Sequence, residues 1–113
     1  MKKYTGGCHC GAVRYEVETA LEGVIECNCS HCFIKGLILN FVDQDKFKLL
    51  SGEDQLTEYQ FNKKVIRHLF CKICGVESFG RGVSMPKVAV NLRCVKDLDL
   101  KTVKISPYNG KDL

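Results

Sequence analysis

Seven of the eight cysteines fall into three tight clusters, Cys8-His9-Cys10, Cys27-Asn28-Cys29-Ser30-His31-Cys32 and Cys71-Lys72-Ile73-Cys74-Gly75, with Cys94 alone. At 113 residues the chain is the size of one domain (1–113) with a modest apolar core, so cross-links through these clusters constrain its fold strongly. The opening Met1-Lys2-Lys3-Tyr4-Thr5-Gly6-Gly7 leads to Cys8 instead of an apolar leader, and no long apolar run follows. The expectation is a soluble cytoplasmic protein without a membrane partner, in a reducing compartment where clustered thiols bind metal. Disulfide pairing is the alternative reading, but cysteines one residue apart suit a shared ion better than an unstrained bridge. A thioredoxin-like reading of Cys71 and Cys74 needs a helix opening at the motif, and the pattern offers none.

Two thiolates from each of two clusters complete a closed tetrahedral zinc site, and a three-cysteine cluster holds a second Zn²⁺ with one position unfilled. Residues i and i+2 of an extended segment point to one side, so Cys8 and Cys10 reach one ion while His9 faces away, and Cys27 and Cys29 do the same. Cys32 returns after a two-residue gap. Cys71 and Cys74 have the gap of a zinc knuckle, and Gly75 can take the positive φ such a turn needs, as can Gly11 after Cys10. Spacing leaves two pairings open. Cys29 and Cys32 could instead join Cys71 and Cys74, leaving Cys8, Cys10 and Cys27 together. Both pairings predict two zincs and disagree on which is open.

The formal charge of +4 counts the cysteines as neutral. Seven thiolates (−7) and two zinc ions (+4) add −3, which leaves about +1. The basic surplus largely disappears. Lysines run from Lys2 to Lys111, and the densest group, Lys63-Lys64 with Arg67, lacks aromatic interleaving. It reads as a solvated face, so no nucleic-acid partner is expected.

The periodicity is that of strands, and the fold class is mostly β in a single domain. Val13, Tyr15 and Val17 alternate with Arg14 and Glu16, and Thr57, Tyr59 and Phe61 alternate with Glu58 and Gln60. Both predict half-buried strands. Leu37 to Val42, Lys46 to Leu50 and Val65 to Phe70 add three more, and Val88, Val90 and Leu92 form a strand carrying Cys94 near its end. No run of ten residues carries a helical stripe, although Asp43-Gln44-Asp45-Lys46 suits one short turn. With so small an interior, zinc-held loops supply order that packing alone would not.

Gly6-Gly7-Cys8-His9-Cys10-Gly11-Ala12-Val13-Arg14-Tyr15, Cys27-Asn28-Cys29-Ser30-His31-Cys32, Phe70-Cys71-Lys72-Ile73-Cys74-Gly75 and Val88-Ala89-Val90-Asn91-Leu92-Arg93-Cys94 together resemble the glutathione-dependent formaldehyde-activating family, which includes the centromere protein V domain. The four motifs span roughly residues 5 to 100 in family order, which is more specific than any single Cys-x-x-Cys. The resemblance implies a β-tent fold with two zincs. It assigns Cys8, Cys10, Cys71 and Cys74 to a structural zinc and Cys27, Cys29 and Cys32 to a catalytic one. It also implies carbon–sulfur lyase chemistry, the interconversion of formaldehyde plus glutathione with S-hydroxymethylglutathione. The chain departs from the family where Phe33-Ile34 stands in place of basic residues after Cys32, although Lys35 keeps one positive charge nearby.

A zinc with three thiolates has a formal charge of −1, which makes its bound water a poor acid and favours a substrate thiol. The expected function is a zinc-dependent carbon–sulfur lyase or synthase acting on adducts of a small thiol such as glutathione. The alternative is a non-catalytic module binding a thiol, peptide or protein. His31 or Cys94 could close the second site, but His31 adjoins Cys32 in a tight turn and Cys94 has the apolar setting of a buried free cysteine. His68, alternating with Ile66 and Phe70, reads as a core or rim histidine, and His9 as a surface group. Phe79-Gly80-Arg81-Gly82 reads as a turn whose Arg81 could meet a substrate carboxylate.

Overall fold

The computed structural model describes residues 1–61 and 64–112; Lys63 of the basic pair lies outside the described residues. Ten strands follow in order: β1 (Lys2–Gly7), β2 (Arg14–Thr19), β3 (Val24–Cys27), β4 (Leu39–Asp43), β5 (Phe47–Ser51), β6 (Leu56–Tyr59), β7 (Ile66–Cys71), β8 (Phe79–Gly82), β9 (Lys87–Asn91) and β10 (Ile105–Tyr108). Among the described residues one α-helix, α1 (Ser30–Lys35), sits between β3 and β4. No described helix is long and apolar enough to cross a membrane.

The strands form a three-stranded sheet, β1-β2-β5, and a seven-stranded sheet, β10-β3-β4-β9-β8-β7-β6. The alternation in β2 buries Tyr15 and Val17 against the large sheet, while Arg14 stays exposed. Phe47 of β5 and Phe79 of β8 meet with ring centroids 4.7 Å apart, and Tyr15 stands 5.1 Å from Phe47. With Val42, Val88 and Val90 these rings make the main core. Burying such side chains contributes about 1.5–3 kcal/mol each.

Several expectations change here. Phe79–Gly82 is a strand, not a turn, because Gly80 lets β7 approach closely; a Cβ there would lie 2.9 Å from the Arg67 carbonyl oxygen. Arg81 stacks over Phe47 and Phe79 at 5.4 and 5.3 Å on the core side, which removes it from the substrate-carboxylate role. Cys94 lies in a 3₁₀ turn, Leu92–Cys94, beyond the end of β9. β6 is an edge strand with Thr57 and Tyr59 exposed, since only β7 covers it. The expected short turn forms at Gln44–Lys46.

The opposite face of the large sheet carries a different row. Phe41, Ala89, Gly80, His68 and Tyr59 are paired strand to strand across β4, β9, β8, β7 and β6, so they share one face. The two middle residues are small. This leaves open space between Phe41 and His68, and the second thiol cluster borders it.

Candidate metal centres and the cavity between them

Cys8 follows β1 and Cys10 lies in the turn to β2, while Cys71 ends β7 and Cys74 lies in the turn after it. The Cys8 and Cys10 sulfurs stand 3.6 Å apart and those of Cys10 and Cys71 3.7 Å apart. A tetrahedral zinc with bonds of about 2.3 Å has sulfur–sulfur edges of about 3.8 Å, so this four-thiol donor set fits that ion. The first pair approaches through a turn rather than an extended segment: the Gly11 N–H bonds the Cys8 carbonyl at 3.3 Å, and Gly11 takes φ +84°. Gly75 plays the same part after Cys74, at φ +80°.

Backbone N–H groups aim at these sulfurs. Those of Cys10 and Val76 hold the Cys74 thiol down to about 6. For Cys8, burial raises the pKa, but the Val13 N–H at 3.2 Å and the thiols of Cys10 and Cys71 outweigh it and bring it below the usual value. Both effects favour thiolates, the form that binds metal, whereas at Cys10 the Ala12 N–H is outweighed by desolvation and the thiols of Cys8, Cys71 and Cys74, which push it up to about 11. His9 points into solvent.

The second cluster is assembled locally. Cys27 ends β3, Cys29 caps α1 and Cys32 occupies its first turn. The short helix was not foreseen; Cys29 Sγ accepts the Cys32 N–H at 3.4 Å and Gly36 closes the other end at φ +68°. Burial raises the Cys27 and Cys32 thiols, whereas at Cys29 the N–H groups of Cys32 and His31 and the other two thiols overcome burial and lower it. The three sulfurs lie within 4.8 Å of one another, a donor set able to hold a metal with three ligands.

These thiols line a cavity of about 560 Å³ whose other walls include Phe41, Ala89 and His68. The C-terminal segment passes beside it. The Asn28 carboxamide donates to Asn109 Oδ1 at 3.0 Å and accepts the Lys111 N–H at 2.9 Å, and a side chain at Gly110 would run into the Cys27 sulfur. A larger cavity, about 650 Å³, flanks Cys8 and Cys10, but the cluster there offers four thiols, enough for every position of a tetrahedral ion. Size is therefore a poor guide to reactivity here.

The group that sequence reasoning missed is Glu77. Its carboxylate is buried and accepts from His68 Nδ1 at 2.8 Å and Lys35 Nζ at 3.1 Å, with His31 Nε2 at 3.5 Å. His31 does not face solvent. It is buried, packed against His68 with ring centroids 3.9 Å apart and planes tilted by 38°, and stacked on Phe61 at 5.3 Å, and burial together with His68 lowers its proton affinity. His31 is grouped with His68 and Glu77, not with the three thiols. An isolated carboxylate next to Val76 and two residues before Phe79 was the available signal. Cys94 lies nearer Cys8 and Cys74; burial, reinforced by those two thiols, pushes it up to about 11.

The sequence pattern of the family described as "Glutathione-dependent formaldehyde-activating enzyme" matches residues 3–108. The fold is similar to the crystal structure of a Rhodobacter sphaeroides protein, 29% identical, with a TM-score of 0.81 over 92% of this chain and 99% of that one. Matched along nearly its whole length, the chain belongs to the glutathione-dependent formaldehyde-activating enzyme family.

Proposed function

We propose that the protein is a zinc-dependent carbon–sulfur lyase or synthase that interconverts a small thiol plus an aldehyde with their hemithioacetal, glutathione and formaldehyde being the family's pair. Cys8, Cys10, Cys71 and Cys74 would hold a structural zinc, and Cys27, Cys29 and Cys32 a second one. The observation that carries this reading is that three thiols, not four, border a cavity. Zinc held by three thiolates supplies a soft Lewis acid that favours a thiol ligand in its thiolate form over activation of water.

The protein's own residues then do the rest. Leu39, Phe41 and Ala89 give the cavity apolar walls that keep water from a small aldehyde. The strap made by Asn28, Asn109 and Lys111 holds the loop that carries Cys27 and Cys29. In the synthetic direction the thiol loses its proton, sulfur bonds to the aldehyde carbon, and the carbonyl oxygen gains a proton. No further reactant is needed.

The test is exchange of formaldehyde between free and thiol-bound forms, followed by NMR with zinc-loaded protein. The expected result is acceleration that Cys29→Ser abolishes while the fold persists. An uncatalysed rate across several thiols would favour the second reading, a module that binds a thiol, peptide or protein without turnover. Phe33 and Ile34, 77% and 83% exposed on α1 beside the thiols, are what favours that reading.

A further inference from the structure

We propose that His68, oriented by Glu77, is the catalytic acid and base that carries the thiol proton to the aldehyde oxygen. The proposal rests on the thiol–aldehyde reaction put forward above. His68 lines the same cavity as Cys27, Cys29 and Cys32. On the sheet it is separated from Phe41 only by Gly80 and Ala89, so the row between them is left to a small substrate.

The ring is set for one tautomer. A carboxylate only accepts, so the 2.8 Å bond to Glu77 places the proton on Nδ1 and leaves Nε2 as the acceptor on a residue that lines the cavity. The ring plane is held as well, by His31 at 3.9 Å and Phe61 at 5.6 Å. Lys35 at 3.1 Å balances the Glu77 charge.

In the synthetic direction His68 Nε2 takes the thiol proton, and the sulfur lone pair forms the carbon–sulfur bond. The carbonyl π pair moves onto oxygen, which takes the proton back from Nε2. His68 ends as it began. In the lyase direction each transfer reverses, with Nε2 removing the hydroxyl proton and returning it to sulfur.

His31, His68 and Glu77 also offer three donor atoms within 4.8 Å, a possible cation site. Two features oppose a cation there. The Lys35 ammonium already occupies one carboxylate oxygen at 3.1 Å, and His68 Nδ1 is already engaged by the other at 2.8 Å. Neither His31 nitrogen has a hydrogen-bond partner among the described residues, so the experiment below counts metal directly.

The experiment compares zinc-loaded wild type, His68→Asn and Glu77→Gln. It measures kcat and KM for exchange, thiol affinity from the visible spectrum of the cobalt-substituted protein, zinc per chain, and the ¹⁵N shifts of His68. His68→Asn is expected to lower kcat about 100-fold, with thiol affinity within about twofold and two zincs retained. Glu77, as a positioning residue, is expected to cost about tenfold, with loss of the Nδ1–H signature. A His68→Asn variant as active as wild type, a thiol affinity that falls as far as turnover, or a third zinc lost with His68 would each overturn the proposal. Should His68→Asn not fold, the wild-type ¹⁵N spectrum decides, since an Nε2–H tautomer refutes the assignment. A wild type without turnover sinks the underlying reaction and the proposal together, whereas an active wild type matched by His68→Asn sinks the proposal alone.

Discussion

Cys10 and Cys71 stand 61 residues apart and their sulfurs meet at 3.7 Å, whereas Cys27, Cys29 and Cys32 come together within a six-residue stretch. The first cluster ties the turn beside the small sheet to the end of β7 in the large one. The second shapes only a strand end and one helical turn. The same side chain thus cross-links the fold in one place and furnishes a cavity wall in the other. The difference lies in how much chain would be released if the cluster were lost.

The largest effect that could break this comparison is a pair of substitutions. Cys71→Ser is expected to abolish cooperative thermal unfolding, followed by circular dichroism, because a structural zinc is worth about 10 kcal/mol and small domains have only about 5–15 kcal/mol of stability. Cys32→Ser is expected to lose one zinc equivalent and the exchange activity while its melting midpoint moves by only a few degrees. Equal destabilisation by the two would erase the distinction.

Acid sharpens the contrast. A thiol pKa below the usual value lets zinc compete with protons to lower pH, and a raised one makes zinc leave sooner as pH falls. Lowered and raised thiols occur in both clusters, Cys8 and Cys74 (about 6) beside Cys10 (about 11) in the first and Cys29 beside the raised Cys27 and Cys32 in the second. The fourth thiolate is therefore what favours retention at the first cluster and earlier release from the second. A zinc-dye titration downward from pH 8 is expected to show two steps of one equivalent each. Activity should disappear in the first step and ellipticity in the second, and a single concerted step would contradict the assignment.

The smallest effect concerns the two glycine turns. A Cβ at Gly75 or Gly36 meets nothing within 4 Å, so alanine there costs only the left-handed backbone, about 1–2 kcal/mol. Gly75→Ala is expected to lower the melting midpoint by about 4 °C or more. Gly36→Ala is expected to act mainly on zinc affinity at the second cluster, read by competition with a chelator, because the end of α1 can fray without loosening the sheets.

Much of this was legible in the chain. Alternation at Val13–Val17 announced β2, the run Val65–Phe70 announced β7, and the positive φ at Gly11 and Gly75 followed from where each stands after a cysteine. Local signals failed where a long-range partner overrides them. The glycines around Arg81 suggested a turn, but β7 and β9 on either side hold Phe79–Gly82 as a strand. α1 escaped notice because a six-residue helix capped by a cysteine sulfur has no room for an apolar stripe.

Spacing along the backbone is local information, and by itself it determined that this chain gathers thiols in small turns and folds mostly as β. Which clusters meet, which face Arg81 joins and what His68 touches depended on strand order and register. Glu77 and His68 are nine residues apart and His31 is much farther away, so only the pairing of β7 with β8 and the docking of α1 bring them together. Tertiary structure decided the cavity for the same reason. Its open row exists because Ala89 and Gly80, unremarkable in sequence, fall in register between Phe41 and His68.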